Sequence, residues 1–296
     1  MISALFVGPV KAFLVAAAVF VPFERLASLH AAQPTFRRGW AMDVLTGAIN
    51  GLLLYLTLLA ALGAIDLGAA WSIPQLRHWI EGTPLLAQVA LALVAGDLGV
   101  YVIHRLQHSV PSLWRFHAVH HSAEELDWLV GFRFHPVDLF LLRLASIGPL
   151  VALNVTPSAI GIFLVVSGWQ AWLVHANVRL PYGPLRWLLV SPEFHHWHHS
   201  TEREAYDRNF ASLVASWDVL FGTVYLPRGR QPESYGIEEH VPAGWIARFV
   251  YPFRPRRERG ATAFRGAPPP DEDCRHGSRY PEETGAARPS RTPATF

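Results

Sequence analysis

LLAQVALALVAGDLGVYVIHRLQH, residues 85–108, is an apolar run that passes without a break into a pair of histidines. Pro84 stands just ahead of it, where a proline commonly opens a helix. At ~1.5 Å per residue, Leu85–Ile103 is close to the ~20 residues needed to cross about 30 Å of hydrocarbon. His104 and His108 fall on the next turn, four residues apart and so on one helix face. The stretch predicts a membrane helix that carries metal-ligating side chains just beyond the hydrocarbon.

Further apolar runs extend this reading. Val44–Ile65 has the composition of a second span. Ile2–Pro22 is a weaker one, interrupted by Pro9 and Lys11; a secretory signal peptide is its rival, disfavoured because the charge falls inside the run rather than ahead of it. Val137–Leu153, with Arg143 inside it, and Ser158–Val174 are each barely long enough to cross. The link Asn154–Pro157 reads as a turn, with Thr156 as N-cap and Pro157 at the first helical position. The two runs therefore predict a tilted hairpin, either crossing the bilayer or dipping into it. The expected architecture is an all-α integral membrane helical bundle of four to five membrane helices with a cytosolic, histidine-rich helical cap. Arginine placement orients it. Arg25, Arg37 and Arg38 lie between the first two runs, and Arg105, Arg115, Arg133, Arg179 and Arg186 lie on the histidine side. The segment Asp66–Thr83 offers only Arg77. The basic connections, and the histidines with them, are expected to be cytoplasmic.

The net charge of +2 is too small to point to nucleic acid. The single cysteine, Cys274, lies in a polar Arg/Pro-rich tail over 254–296, which is read as disordered. One cysteine excludes both a disulfide framework and thiolate metal sites. Fifteen histidines are the unusual feature of the composition.

They gather in three boxes: His104-Arg-Leu-Gln-His108, His117-Ala-Val-His120-His121, and His195-His196-Trp197-His198-His199. Spacings of three and four let each box aim two or three imidazoles at one point. The third box contains a His-x-x-His-His pattern starting at His195, which sets His196 aside, and the eight remaining histidines, without cysteine, suit iron, zinc or copper. One ion cannot use eight ligands, so two metals are implied. A lone interfacial histidine is usually an ordinary hydrogen-bonding residue; three boxes on one predicted face argue for metal. A zinc protease would need His-Glu-x-x-His, and Arg105 stands where the general base belongs. A carboxylate-bridged bundle needs paired Glu-x-x-His motifs, and only Glu193–His196 fits, after Ser191-Pro192 in what reads as a turn. Asp97 lies seven residues before His104, two turns along the same face, and is the leading carboxylate to orient an imidazole from outside the metal shell. Asp218 is the second such candidate, with turn capping as its alternative role. Trp114, Trp128, Trp169, Trp172, Trp187 and Trp197 read mainly as interfacial anchors. Arg105, Arg115, Arg133 and Arg179 could meet lipid headgroups or an acidic redox partner, although positive-inside flanking also explains them.

Taken together, the boxes resemble those of the fatty acid hydroxylase and sterol desaturase superfamily of membrane di-iron oxygenases. The likeness extends to Asp97–Tyr101 ahead of the first box, to Arg133-Phe-His135-Pro136, to Gln170 with His175-Ala-Asn177, and to Asn209-Phe210 with Trp217–Thr223. It covers roughly residues 90 to 236. The resemblance implies two iron ions, with zinc a possible substitute in purified protein, and adds His175 as a ninth ligand. Some members carry a further histidine one turn later, where this chain has Arg179. A tenth ligand would then be His135, His196 or water. His135 is expected to support the ligands from outside, as is Asn177, and His196 to face outward. The implied domain plan is N-terminal membrane helices over 1–83, a catalytic domain over 84–236, a packing segment over 237–253, and the tail. The implied function is O2-dependent hydroxylation or desaturation of a lipid. No His-Pro-Gly-Gly haem element is present, so electrons would come from a separate donor, a b-type cytochrome or a ferredoxin with its reductase. The alternative is a catalytically silent lipid-binding or regulatory membrane protein with a structural metal site.

Overall fold

The computed structural model describes residues 2–52, 55 and 74–254, and every regular element among them is helical. These are α1 (Ile2–Leu26), α2 (residues 40–52), α3 (Pro74–Glu81), α4 (Leu85–Ser109), α5 (Pro111–His121), α6 (Pro136–Ala152), α7 (Pro157–His175), α8 (Pro192–His198), α9 (Ser216–Leu220) and α10 (Trp245–Val250). Much of the run Val44–Ile65 and the tail beyond residue 254 lie outside the described residues. Helix α3, held by an Arg77–Glu81 ion pair of 2.7 Å, sits in a segment the sequence presents as a plain connection.

Local chemistry sets the helix starts. Prolines occupy the first position of α5, α6, α7 and α8, where the missing N–H costs no hydrogen bond. Ser191 caps α8 by accepting the Phe194 N–H at 3.2 Å. Ser191–His198 is therefore a capped helix, not a turn. His135 caps α6 by accepting the Val137 N–H at Nδ1, 3.1 Å away. Thr156 holds the N-cap position of α7, but its side chain does not cap. Its hydroxyl and N–H both donate to Gln88 Oε1, at 2.8 and 3.1 Å, and staple the α6–α7 turn to α4. Asn154 makes that turn with a left-handed φ of 56°, a conformation asparagine tolerates.

Helix α4 is central: α6 and α7 both pack against it. The close approach depends on glycine. A Cβ at Gly99 would overlap the Ala145 carbonyl of α6, and one at Gly96 would lie 2.6 Å from the Phe163 ring of α7. Leucine at Gly99 is therefore expected to force α4 and α6 apart and to destabilise the protein by at least about 1–3 kcal/mol. A thermal midpoint equal to that of the parent protein would show that this contact is not as tight as described.

Among the described residues, α4 and α7 are the two helices long and apolar enough to cross a membrane. Most of their surface faces outward, including Leu86, Val94 and Val102 on α4 and Ile162, Val165 and Val166 on α7. A core helix of a soluble protein would be buried there instead. At 17 residues α6 spans only ~25 Å.

On the other side, α1 packs Ala16 and Phe20 against Trp128, Trp169 and Trp172, with Phe20 stacked on Trp128 at 5.8 Å. Trp128 and Trp197 are fully enclosed, so these two fill the interior rather than anchor an interface. Glu24, near the end of α1, accepts the N–H groups of Trp128 and Asn177 at 2.8 and 2.9 Å. Below it lies a buried ionic network. Asp43 takes both ends of the Arg133 guanidinium, at 2.7 and 2.9 Å, and also Arg37 at 2.7 Å. Arg37 in turn reaches Asp127 at 2.6 Å. Arg133, expected at the surface, is thus a buried clamp between α2 and the loop leading to α6.

Candidate metal centre

The nine histidines expected to bind metal meet in two adjoining groups. His104, His108, His117, His121 and His198 form one; His120, His175, His195 and His199 form the other; in each, one nitrogen from every ring lies within 4.8 Å of the rest. All nine are buried. The groups abut, with the His121 and His199 rings 4.4 Å apart and stacked.

The boxes do not each serve one point, as their spacing alone suggests. In the second box His117 and His121, four apart, join the first group, while His120 crosses to the second. In the third box His195 and His199, again four apart, join the second group, and His198 crosses to the first. The i,i+4 pair shares a face, and the i+3 residue is rotated enough to reach the neighbouring point. Helices α4 and α5 supply most of the first group, and α7, α8 and the residue that ends α8, His199, supply most of the second.

Ring orientation decides what these groups can hold. His104 Nδ1 faces the Phe210 carbonyl at 2.7 Å, and His117 Nδ1 faces Asp138 at 3.1 Å. Both neighbours only accept, so both Nδ1 atoms carry the proton and both Nε2 atoms bear lone pairs. Those two Nε2 atoms face each other at 3.0 Å. The second group repeats the pattern: His120 and His175 direct Nδ1 to the carbonyls of Arg133 and Ala171, at 3.2 and 2.6 Å, and their Nε2 atoms lie 3.1 Å apart. Opposed lone pairs at that distance repel unless a cation lies between them. The spacing is also one that two nitrogens take on a single ion with bonds of about 2.0–2.1 Å. Burial, reinforced by neighbouring imidazoles, drives His120, His121, His195 and His199 well below the usual histidine range and takes His198 to about 3. These five rings therefore stay neutral, the form that binds metal. The donor set fits two first-row ions.

The surrounding polar groups differ from expectation. Asp97 touches no imidazole, because seven residues of helix put it ~10 Å along the axis from His104. It accepts the N–H groups of Ser212, Leu213 and Val214 at 2.8–3.2 Å. Asp218 accepts those of Phe210 and Ala211, each at 2.8 Å, and the Thr223 hydroxyl at 2.6 Å. Together they fix the loop whose Phe210 carbonyl orients His104, so both act through backbone. The carboxylates that meet imidazoles directly are Asp138, on His117, and Asp207, 3.3 Å from His108. Asp138 is an ionisable residue at the start of an apolar run, and that was the available signal; Asp207 had none.

His135 spends its second nitrogen on the Phe249 carbonyl at 3.1 Å, so it ties α10 to α6. His196, expected to face outward, is fully buried. It points away from both groups, with Nδ1 3.1 Å from the Tyr235 hydroxyl and Nε2 3.1 Å from the Ala176 carbonyl. Neither has a nitrogen free for metal. Asn177 bonds the backbone of His30 through both side-chain atoms, at 2.9 and 3.1 Å, holding the chain after α1 beside His175. Replacing Asp138 with asparagine should leave the fold intact and weaken metal binding about tenfold, the low end for loss of a charged outer partner. Unchanged affinity in a metal titration would remove Asp138 from this role.

Residues 89–223 match the family model for fatty acid hydroxylases. The match ends short of the residue 236 at which the sequence resemblance was drawn. The ornithine lipid hydroxylase OlsE of Rhizobium tropici is 37% identical over 182 residues, 60% of this chain and 54% of that protein. The alkylglycerol monooxygenase of Homo sapiens is 31% identical over 132 residues, 45% of this chain and 29% of that protein. The cholesterol 25-hydroxylase of Rattus norvegicus is 28% identical over 149 residues, 50% of each. The chain thus spans about half the length, or less, of these curated relatives. No solved structure matches it.

Proposed function

We propose, taking residues 89–223 as a fatty acid hydroxylase domain, that the chain is a membrane-bound di-iron oxygenase that hydroxylates a lipid. One observation carries the reading: paired Nε2 atoms face each other in both histidine groups, at 3.0 and 3.1 Å, while each Nδ1 is turned to an oxygen. Two bound irons would supply the oxygen activation needed to attack an unactivated C–H bond. The chain's own residues hold His104, His108, His117, His121 and His198 toward one iron and His120, His175, His195 and His199 toward the other. Backbone carbonyls, Asp138 and Asp207 face Nδ1 of His104, His108, His117, His120, His175 and His198, which leaves their Nε2 lone pairs for metal. Burial excludes bulk water from the centre, which protects a strong oxidant from side reactions. The relatives' names, hydroxylase and monooxygenase, favour hydroxylation over desaturation.

In the same reading the chain has four to five spans. It divides at residues 83, 236 and 253, and its histidine side faces the cytoplasm as arginine placement implies. Electrons come from a separate donor.

Metal analysis of protein purified without added zinc is expected to give about two irons per chain, and reduced protein with lipid and O2 should yield a product heavier by one oxygen. Zinc occupancy, with no turnover after iron reconstitution and reductant, would instead establish a silent lipid-binding protein with structural metal.

A further inference from the structure

Two short segments between the histidine boxes and the end of the domain turn large apolar side chains outward. The turn Gly183–Trp187 and the residues after it expose Leu185, Leu188 and Leu189. Helix α9 and the residue that ends it expose Val219, Leu220 and Phe221, with Leu220 69% accessible. The segments are joined. The Ser216 hydroxyl donates to the Trp187 carbonyl at 3.2 Å, and the Val190 N–H donates to the Leu213 carbonyl at 2.9 Å. Together they form one apolar lip.

The residues that fasten this lip set its depth. Asp97, which accepts the N–H groups of Ser212, Leu213 and Val214, stands six residues inside the end of the apolar run at Ile103, about 9 Å along α4. Gln170 stands four residues inside the end of its run at Val174, about 6 Å along α7, and donates to the Val190 carbonyl at 2.7 Å. Tyr101, also on α4, stacks on Phe221 at 5.2 Å. These anchors belong to the two helices long and apolar enough to cross a membrane. The lip is therefore held alongside the apolar runs, short of the histidines on both helices.

Its chemistry suits that depth. Non-helical backbone is tolerated within hydrocarbon only where protein satisfies and encloses its polar groups. Here Asp97 takes three successive N–H groups, Asp218 takes those of Phe210 and Ala211, and Gln170 supplies the Val190 carbonyl. From Asn209 to Pro227 the only charged residue is Asp218, and it is buried. A segment facing water would need neither an apolar outer face nor a carboxylate spent on its backbone at that depth.

We infer that this lip is embedded in the bilayer, with Leu188 and Leu220 set among acyl chains on the histidine-bearing side, so that the partner of this face is lipid hydrocarbon. The part of the helical cap formed by residues 185–190 and 212–221 is then a membrane element rather than a cytosolic one. The inference rests on the reading of α4 and α7 as membrane spans; it does not rest on iron, O2 or turnover.

The test places a bimane label on single cysteines, Leu188→Cys and Leu220→Cys, in the full chain carrying Cys274→Ser. The proteins are reconstituted in nanodiscs of dioleoylphosphatidylcholine or of the same lipid brominated on its acyl chains. Val94→Cys, on the exposed face of α4, reports the span, and Glu239→Cys, at an exposed acidic position, reports water. Brominated lipid is expected to quench the labels at 188 and 220 as strongly as at 94 and to spare 239, while iodide quenches 239 alone. Both lip positions are exposed leucines, so either variant carries the comparison if the other does not fold. Iodide quenching at 188 and 220 without bromine quenching overturns the inference and leaves α4 as a span. Protection from both quenchers also overturns it and makes a second copy of the chain the cover. Absence of bromine quenching at 94 overturns the lip together with the membrane reading beneath it.

Discussion

Alanine in place of His195 is expected to cut bound metal from about two ions per chain to about one and to end lipid oxidation. His195 sits at the centre of the four-histidine group, its Nε2 2.9 Å from that of His175 and 3.1 Å from that of His199. Its loss leaves that group three imidazoles and opens a gap where two of them converge. Loss of a mere outer hydrogen-bond partner costs up to ~100-fold, so removal of a ligand should exceed that. The five-histidine group contains no atom of His195 and should keep its ion. Inductively coupled plasma analysis together with product formation separates the outcomes. Two retained metals with normal turnover would mean that His195 is not a metal ligand.

Replacing Asp43 with alanine should produce the largest loss of stability. The carboxylate is fully buried and holds Arg133 and Arg37. Removing one partner of such a network leaves uncompensated charge, which costs about 3–5 kcal/mol. The effect should also reach the metal, because the Arg133 carbonyl orients His120. The expected result is a much lower thermal midpoint together with weakened metal retention. Asparagine should be milder, since it keeps an acceptor for one arginine. A variant as stable as the parent would show that the arginines find other partners or water.

The box histidines were legible because helical spacing turns a sequence interval into a shared direction. That periodicity says which rings can meet, and eight of the nine grouped rings follow from it; His175 stands alone in sequence and came only through family likeness. Periodicity does not say where two adjacent meeting points lie, so the split that sends His120 and His198 across was hidden. The orienting carbonyls of Phe210, Arg133 and Ala171 were invisible for a deeper reason: a backbone acceptor has no residue identity. Asp97 illustrates the converse. Its depth in an apolar run marked it as functional, and it is buried and fully bonded, but helix rise places it two turns from the imidazole it was expected to touch. The network around Asp43 joins residues 90 positions apart, a distance no local pattern spans.

The unbroken run of α4 from Leu85 through His108 ties how far the centre lies from the far end of the helix to the direction its rings point. His104 is nineteen residues from Leu85, about 29 Å at the rise of an α-helix. Adding one residue between Gly99 and His104 would lift the imidazoles by only ~1.5 Å but swing them by roughly 100°, off their partners on α5 and α8. Only a whole turn, ~5.4 Å, restores the aim. A scaffold built this way can shift its reactive zone along the membrane normal in steps of one helical pitch and not between them, so a bilayer of different thickness would change which atoms of a bound lipid stand opposite the metals.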